Sequence, residues 1–333
     1  MLSPPAPPHP NPETAMTKAV QTNYIKSTNV RSIINDLIQR ELVRTGFRIA
    51  PRWAANHAAR LFLRPWRRPT SERSGYISRE TPFAAESAFG PVAAWSFGPT
   101  TPGTPAVLLV HGWEDDHLSW AALIDKLVAH GYRVIAPDLP GHGRSPADIT
   151  GIPILAAGIA AVAREAEKIG AVSATQPFKA VIAHSLGGTA TLIAAAEMDL
   201  TTERFAILAS PNHPRLFAGA MMQMLGLNVS QTQKVFAAIE RLIGRSMDSL
   251  YLPPKLRAFA QPGLILHSRD DRTVPLQHSQ ENAASWPRAD FRILDGLGHR
   301  RLISDAGVHA MLLHFVDSKA PADIYSLKTD AAD

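Results

Sequence analysis

An alcohol, a carboxylate and an imidazole stand at Ser185, Asp271 and His299, far apart in the chain, each beside residues expected to present it at the end of a strand. A serine hydroxyl is too weak an acid to attack a carbonyl unaided at neutral pH. It needs a base within hydrogen-bond reach and a third group that orients the base. Ser185 follows an apolar run, Phe178 to Ala183, expected as a buried strand, and precedes Gly187, Gly188 and an apolar segment, Ala190 to Ala196, expected as a helix. A strand, a sharp turn and a helix with the serine at the apex form a nucleophile elbow. Small residues suit so tight a turn: a Cβ on Gly187 would collide with the neighbouring strand, and Ala183, at the elbow's first position, has the smallest side chain after glycine.

In the chain order that accompanies such an elbow, the acid follows the serine and the histidine follows the acid. His278 falls in the helix expected after Pro275, and His309 and His314 fall inside the last helix. His299 stands in a loop, Asp295-Gly296-Leu297-Gly298-His299, just past a strand end, and is the expected base. Two adjacent aspartates follow the strand Gly263 to Ser268. Asp271, two residues ahead of Val274-Pro275, is the expected acid, and Asp270 its solvated or structural neighbour. A developing oxyanion needs donors fixed in advance. One is the N–H of Leu186, after the nucleophile. The other is the N–H of Trp113, in His111-Gly112-Trp113 after the strand Val107 to Val110, while the Trp113 ring walls the pocket or simply packs.

The elements that must position these groups alternate. Two short strands, Ala84 to Ala88 and Val92 to Phe97, are expected around a turn at Gly90-Pro91. Ala106 to Val110, Arg133 to Pro137, the elbow strand, Phe205 to Ala209, Gly263 to Ser268 and Asp290 to Leu294 follow as strands. Helices are expected at Trp120 to His130, Ile152 to Ile169 and Val308 to Val316. Such alternation implies an α/β fold with a mostly parallel, doubly wound sheet, whose ligands collect at the carboxyl ends of its strands. The core is expected over 77–211 and 260–318, with a helical lid inserted at 212–259. Methionines 221, 222 and 224 in that insertion line an acyl pocket or form the lid's own core. Ahead of the core, 16–76 is expected as a helical extension whose first helix stops near Gly46 and whose second begins near Pro51. Residues 1–15, rich in proline, and 319–333 are expected as tails.

Composition narrows the classes. There are no cysteines, so a thiolate nucleophile, a disulfide framework and a Cys-based metal site are excluded. The chain shows neither a secretory signal nor a run long enough to span a bilayer, and a cytoplasmic protein is expected. The formal charge of +5 is uneven: residues 1–73 hold twelve Lys and Arg against four Asp and Glu, and the remainder is slightly acidic. The basic arm is either a solvated face packed on the body or a peripheral contact with anionic lipid or an acidic partner. No nucleic-acid reading motif accompanies it.

Taken jointly, Val110-His111-Gly112-Trp113, Pro137-Asp138-Leu139-Pro140-Gly141-His142-Gly143-Arg144-Ser145, His184-Ser185-Leu186-Gly187-Gly188, Asp271-Arg272-Thr273-Val274-Pro275 and Gly298-His299 resemble the α/β-hydrolase superfamily over about Thr81 to Val316. The N-terminal helices and the ending Gly296 to Ile303 are similar to a bacterial group of predicted serine hydrolases and esterases. The resemblance implies a serine carboxylesterase acting through an acyl-enzyme on a small-molecule ester, with no cofactor and no metal. Peptidase, amidase or thioesterase chemistry on the same triad, and a non-catalytic binding protein on the same fold, are the alternatives. It also implies structural roles for Asp138 and the turn from Gly141 to Ser145. Serine at 185 argues against the members with an aspartate nucleophile. Glu114-Asp115-Asp116, beside the oxyanion loop, is either a solvated acidic loop or an attractor for a cationic group such as a free amine.

Overall fold

The computed structural model describes residues 30–66 and 80–318. The expected tails at 1–15 and 319–333, and the Arg67-Arg68-Pro69 part of the basic flank, lie outside the described residues. Two helices come first, α1 (Val30–Ile49) and α2 (Pro51–Phe62), then β1 (Thr81–Ser87), β2 (Gly90–Phe97) and β3 (Ala106–Val110). After them run α3 (Ala121–Ala129), β4 (Arg133–Pro137), α4 (Ile152–Lys168), β5 (Ala180–His184) and α5 (Ser185–Glu197). The remainder is β6 (Phe205–Leu208), α6 (Pro214–Met224), α7 (Val229–Ile243), the short α8 (Pro253–Leu256), β7 (Gly263–Ser268), α9 (Leu276–Ser285), β8 (Ala289–Leu294) and α10 (Ala306–Asp317).

The strands form one sheet in the order β1-β2-β4-β3-β5-β6-β7-β8. β1, β2 and β4 pair antiparallel, and from β4 through β8 every pairing is parallel. Central strands buried on both faces need apolar residues at every position, and all five residues of β3 and of β5 are buried. Successive side chains then serve opposite layers. Leu108, Val110, Val181 and Ala183 join the core under α4 and α5, whereas Val107, Leu109, Ala180 and Ile182 join the core under α3 and α10.

Between β6 and β7 the chain builds α6, α7 and α8. A capping box starts α7, with Asn228 and Gln231 each accepting from the other's backbone N–H, and Gly244 in the left-handed region ends it. The N-terminal pair belongs to the same apolar core. Val43 and Phe47 of α1 and Ala54, Ala55, Ala58 and Ala59 of α2 are buried in one cluster with Val235, Ile239 and Ile243 of α7. The alanines let α2 lie close on its neighbours.

Local expectations shift in three places. The first helix does not stop at Gly46 but runs to Ile49. The missing Cβ at 46 makes room for the Trp53 ring, which would lie 2.8 Å from one. The first hairpin turns at Ala88-Phe89 rather than Gly90-Pro91, because the Ser87 hydroxyl donates to the Gly90 carbonyl and accepts from Phe89 N–H, which draws Gly90 and Pro91 into β2. The elbow strand begins at Ala180, and Phe178 forms an isolated bridge with Thr202.

Glu197, at the end of α5, ties the sheet to the helices beyond α7. It accepts from Arg245 at 2.5 and 2.9 Å and pairs with Lys255 at 2.8 Å. The Arg245 hydrogen bonds, against the opposing effect of burial and with help from Lys255, hold its carboxyl down to about 2 from an ordinary 4.5. A depressed carboxylate stabilises the fold above its unfolded value, and the contribution is lost as pH falls through the folded one. Glu197→Gln is therefore expected to unfold at a lower temperature than wild type by a constant margin above pH 4.5, and the margin to shrink as pH falls towards 2. Melting curves across that window test the linkage, and a margin independent of pH would contradict it.

Candidate active site

Ser185 is the first residue of α5, directly after β5, and holds φ at 53°. A non-glycine residue in the left-handed region is strained. The strain persists because the flanking turn has no room to relax: a Cβ on Gly187 would stand 2.0 Å from the His111 carbonyl oxygen, and one on Gly188 would stand 1.9 Å from the Ser210 hydroxyl. The helix start is thereby pressed onto the loops after β3 and β6, and the serine projects from the strand end.

His299, in the loop after β8, reaches across to it. Its Nε2 lies 2.9 Å from Ser185 Oγ, and its Nδ1 lies 2.7 Å from Asp271 Oδ2 in the loop after β7. The three expected residues, 86 and 28 positions apart in the chain, thus meet at the carboxyl edge of the sheet. The other Asp271 oxygen accepts from Thr273 N–H at 2.7 Å and Val274 N–H at 3.0 Å. Burial alone would raise the Asp271 carboxyl, but hydrogen bonds from His267 and His299 outweigh it and hold the group well below the usual carboxylate range. An ionised acceptor at this point holds the proton on His299 Nδ1 and leaves Nε2 free to accept from the serine hydroxyl.

Two further histidines take part without having been given a role from sequence. His267, fully buried on β7, places Nε2 3.4 Å from Asp271 Oδ2 and 2.9 Å from the Val274 carbonyl, and its Nδ1 accepts from the Ser279 hydroxyl at 2.7 Å. His184, just before the serine, donates from Nε2 to the His299 carbonyl at 3.0 Å, its ring 4.7 Å from that of His299. Burial and then the neighbouring His299 push His184 down to about 3, so it is a neutral donor at neutral pH. The signals were adjacency to Ser185 for one and a position four residues before Asp271 for the other. Asp270 lies outside the triad: its Oδ1 accepts from the Ser268 hydroxyl and from Gly298 N–H at 3.1 Å, fixing the turn that presents His299.

The loop after β3 runs beside the serine, since a Cβ on Gly112 would approach Ser185 Cβ to 3.0 Å. Leu139 N–H donates to His111 Nε2 at 2.9 Å, so Nδ1 carries the proton and donates to the Gly112 carbonyl at 2.7 Å. In a trans peptide the next N–H points the opposite way, which turns Trp113 N–H away from His111. Leu186 N–H belongs to the first turn of α5, where N–H groups have no partner within the helix. The acidic run is occupied locally: Glu114 accepts from Trp66 N–H at 3.2 Å, and Asp116 caps the turn at Leu118 N–H. Asp138, wholly buried, accepts from His117 N–H, His117 Nδ1 and Arg144 N–H and shapes the loop after β4.

A narrow cavity of ≈ 50 Å³ opens beside Leu186 and Trp113. Its walls come from α2 (Phe62), the residue after it (Leu63), α6 (Phe217, Met221), α7 (Ile239, Ile243) and Met247. Of the methionines expected to line a pocket or fill a core, Met221 faces this cavity and Met222 is fully buried in the core.

Residues 107–310 match the alpha/beta hydrolase family. The chain belongs to that family. The hydrolase is 27% identical over 249 residues to a pimeloyl-[acyl-carrier protein] methyl ester esterase of Xanthomonas campestris, a match covering 63% of this chain and 94% of the relative. It is 27% identical over 275 residues to the magnesium-chelatase 30 kDa subunit of Rhodobacter capsulatus, covering 70% and 94%. Among solved structures it resembles an esterase of Pyrococcus furiosus, with a TM-score of 0.57, 17% identity, and coverage of 76% of this chain and 96% of that one. No helix among the described residues is long and apolar enough to cross a membrane.

The packing at the elbow makes a prediction. Gly187→Ala must displace the His111 backbone, and overpacking of this kind costs about 1–3 kcal/mol or more. A clear fall in melting temperature is expected, by several degrees for a domain of this size. A melting temperature equal to wild type would show that the loop yields freely.

Proposed function

We propose that the protein is a serine hydrolase that cleaves carboxylic esters through an acyl-enzyme intermediate. The observation that carries the proposal is the continuous hydrogen-bonded path from Ser185 Oγ through His299 to Asp271. In the first half-reaction Ser185 Oγ attacks the ester carbonyl while its proton passes to His299 Nε2. The negative charge that develops on the carbonyl oxygen is taken by the N–H groups of Trp113 and Leu186, with the α5 N-terminus adding its dipole. His299 then returns the proton to the departing alcohol. In the second half-reaction water, deprotonated by His299, attacks the acyl carbonyl and Ser185 leaves with the proton. Asp271 holds the imidazole in the productive tautomer and stabilises its charged form.

The acyl group is assigned to the cavity beside Trp113 and Leu186, with α6 to α8 as its lid. The esterase activity of the Xanthomonas relative supports an ester as the substrate class. A non-catalytic role for the fold is disfavoured by three triad members lying within hydrogen-bond distance.

Ser185→Ala is expected to lower turnover of a p-nitrophenyl ester by about 10⁶, and Asp271→Asn by about 10⁴. Unchanged turnover in the serine variant would overturn the assignment. The cavity predicts a preference for short acyl groups that is set by its walls. Phe217→Ala, whose ring lies 6.1 Å from that of Phe62, is expected to shift kcat/KM towards longer chains by roughly tenfold per step of size. An unchanged profile across a chain-length series would place the acyl group elsewhere.

A further inference from the structure

Helix α1 is apolar on two faces. Val43 and Phe47 are buried, while Ile38, Leu42 and Ile49, at positions i, i+4 and i+11, share one exposed stripe, with Ile38 58% and Ile49 80% exposed. Trp53, at the start of α2 and against Gly46, is 47% exposed, and Trp66 is 68% exposed. The turn at Gly226 between α6 and α7 lies on the side chains of Arg40 and Arg44, which brings Val229, 79% exposed, beside the same arm. A concentration of large exposed apolar side chains along α1 and beside it marks a contact surface.

The charges of the arm say what the surface contacts. Between residues 37 and 66 the chain carries six arginines and one acidic residue, Glu41, which pairs with Arg44 at 3.0 Å. Arg48, Arg52, Arg60 and Arg64 are exposed and form no ion pair among the described residues. A second copy of the chain docked through this patch would bring it against itself, and the arginines would then face arginines. An anionic bilayer answers both features. Its acyl boundary takes the isoleucines and leucine, its headgroup level takes tryptophan rings, and its phosphates take the guanidinium groups.

We propose that the α1–α2 arm seats the enzyme on an anionic lipid surface through Ile38, Leu42, Ile49, Trp53 and Trp66 with the flanking arginines. The arm ends at Phe62 and Leu63, which wall the acyl cavity, so the seated enzyme holds its acyl site next to the bilayer. This last clause rests on the ester reading above, whereas the docking does not.

The test uses the full chain and vesicles of phosphatidylcholine with and without phosphatidylglycerol, read by co-sedimentation. Wild type and Ser185→Ala are both expected to bind the anionic vesicles and to be released by salt. The double variant Ile38→Glu/Ile49→Glu is expected to lose binding while keeping turnover of a soluble p-nitrophenyl ester. Arg48→Glu/Arg52→Glu is expected to weaken binding by roughly fivefold or more per charge reversed. Equal binding to neutral and anionic vesicles would overturn the proposal, as would wild-type binding by both double variants. So would a concentration-dependent dimer that Ile38→Glu/Ile49→Glu dissolves, or capture of an acidic carrier protein by an arm that ignores vesicles. Loss of turnover in Ser185→Ala with vesicle binding retained separates the two proposals, and so does the reverse result.

Discussion

The edge of the sheet where Ser185, His299 and Asp271 meet depends on one close approach. The first turn of α5 lies so near the loops after β3 and β6 that Gly187 and Gly188 leave no space for a side chain. That contact holds Ser185 at a φ of 53°, a conformation it would leave if the helix could retreat. It also fixes the distance from the serine to the loop that carries Trp113. Ser185, Leu186 and the loop that carries Trp113 are therefore positioned by the same backbone contact, before any substrate arrives. Preorganisation of this kind costs strain in the ground state and removes reorganisation from the reaction.

A second constraint acts through Asp271. Burying a carboxylate favours its protonated form, which would hold a proton on His299 Nδ1 far less firmly than the ionised form does. The loop after β7 answers with two backbone N–H groups on one oxygen, while His267 of β7 and His299 of the loop after β8 stand near the other. His267 is tied in turn to Ser279 on its far side and to the Val274 carbonyl. His184 does related work on the backbone of His299. The loop after β8 is thus fixed at its carbonyl, at its imidazole and, through Asp270 and Ser268, at Gly298.

What could be read from sequence was what short motifs encode. Ser185, Asp271 and His299 sit in strings whose local geometry follows from residue size and strand ends, so their meeting needed no knowledge of side-chain packing. Central strands were legible for the same reason, since burial on both faces forces continuous apolar runs. Gly46 misled because a glycine that ends a helix and one that admits a tryptophan ring look alike until Trp53 is in place. The acidic run at Glu114 was ambiguous because its partners, Trp66 N–H and Leu118 N–H, are backbone groups that every residue carries. His184 and His267 were in plain view, but a histidine has no local sign of what its second nitrogen meets.

The cavity beside Trp113 and Leu186 is walled partly by residues that the match to relatives does not reach. The Xanthomonas esterase is covered over 94% of its length by 63% of this chain, so a third of the chain is surplus to that likeness. Phe62 and Leu63 lie outside the 107–310 family match, yet they stand opposite Phe217 and Met221 across a cavity only ≈ 50 Å³ in volume. In a space that narrow an added methylene on any wall is felt. The arm is held there by a main-chain bond, Thr150 N–H to the Leu63 carbonyl at 2.7 Å, and by Trp66 N–H donating to the Glu114 carboxylate at 3.2 Å. Glu114 follows Trp113 directly, so the segment that walls the cavity also steadies the loop after β3. The walls of this cavity come jointly from the inserted helices and from the N-terminal arm.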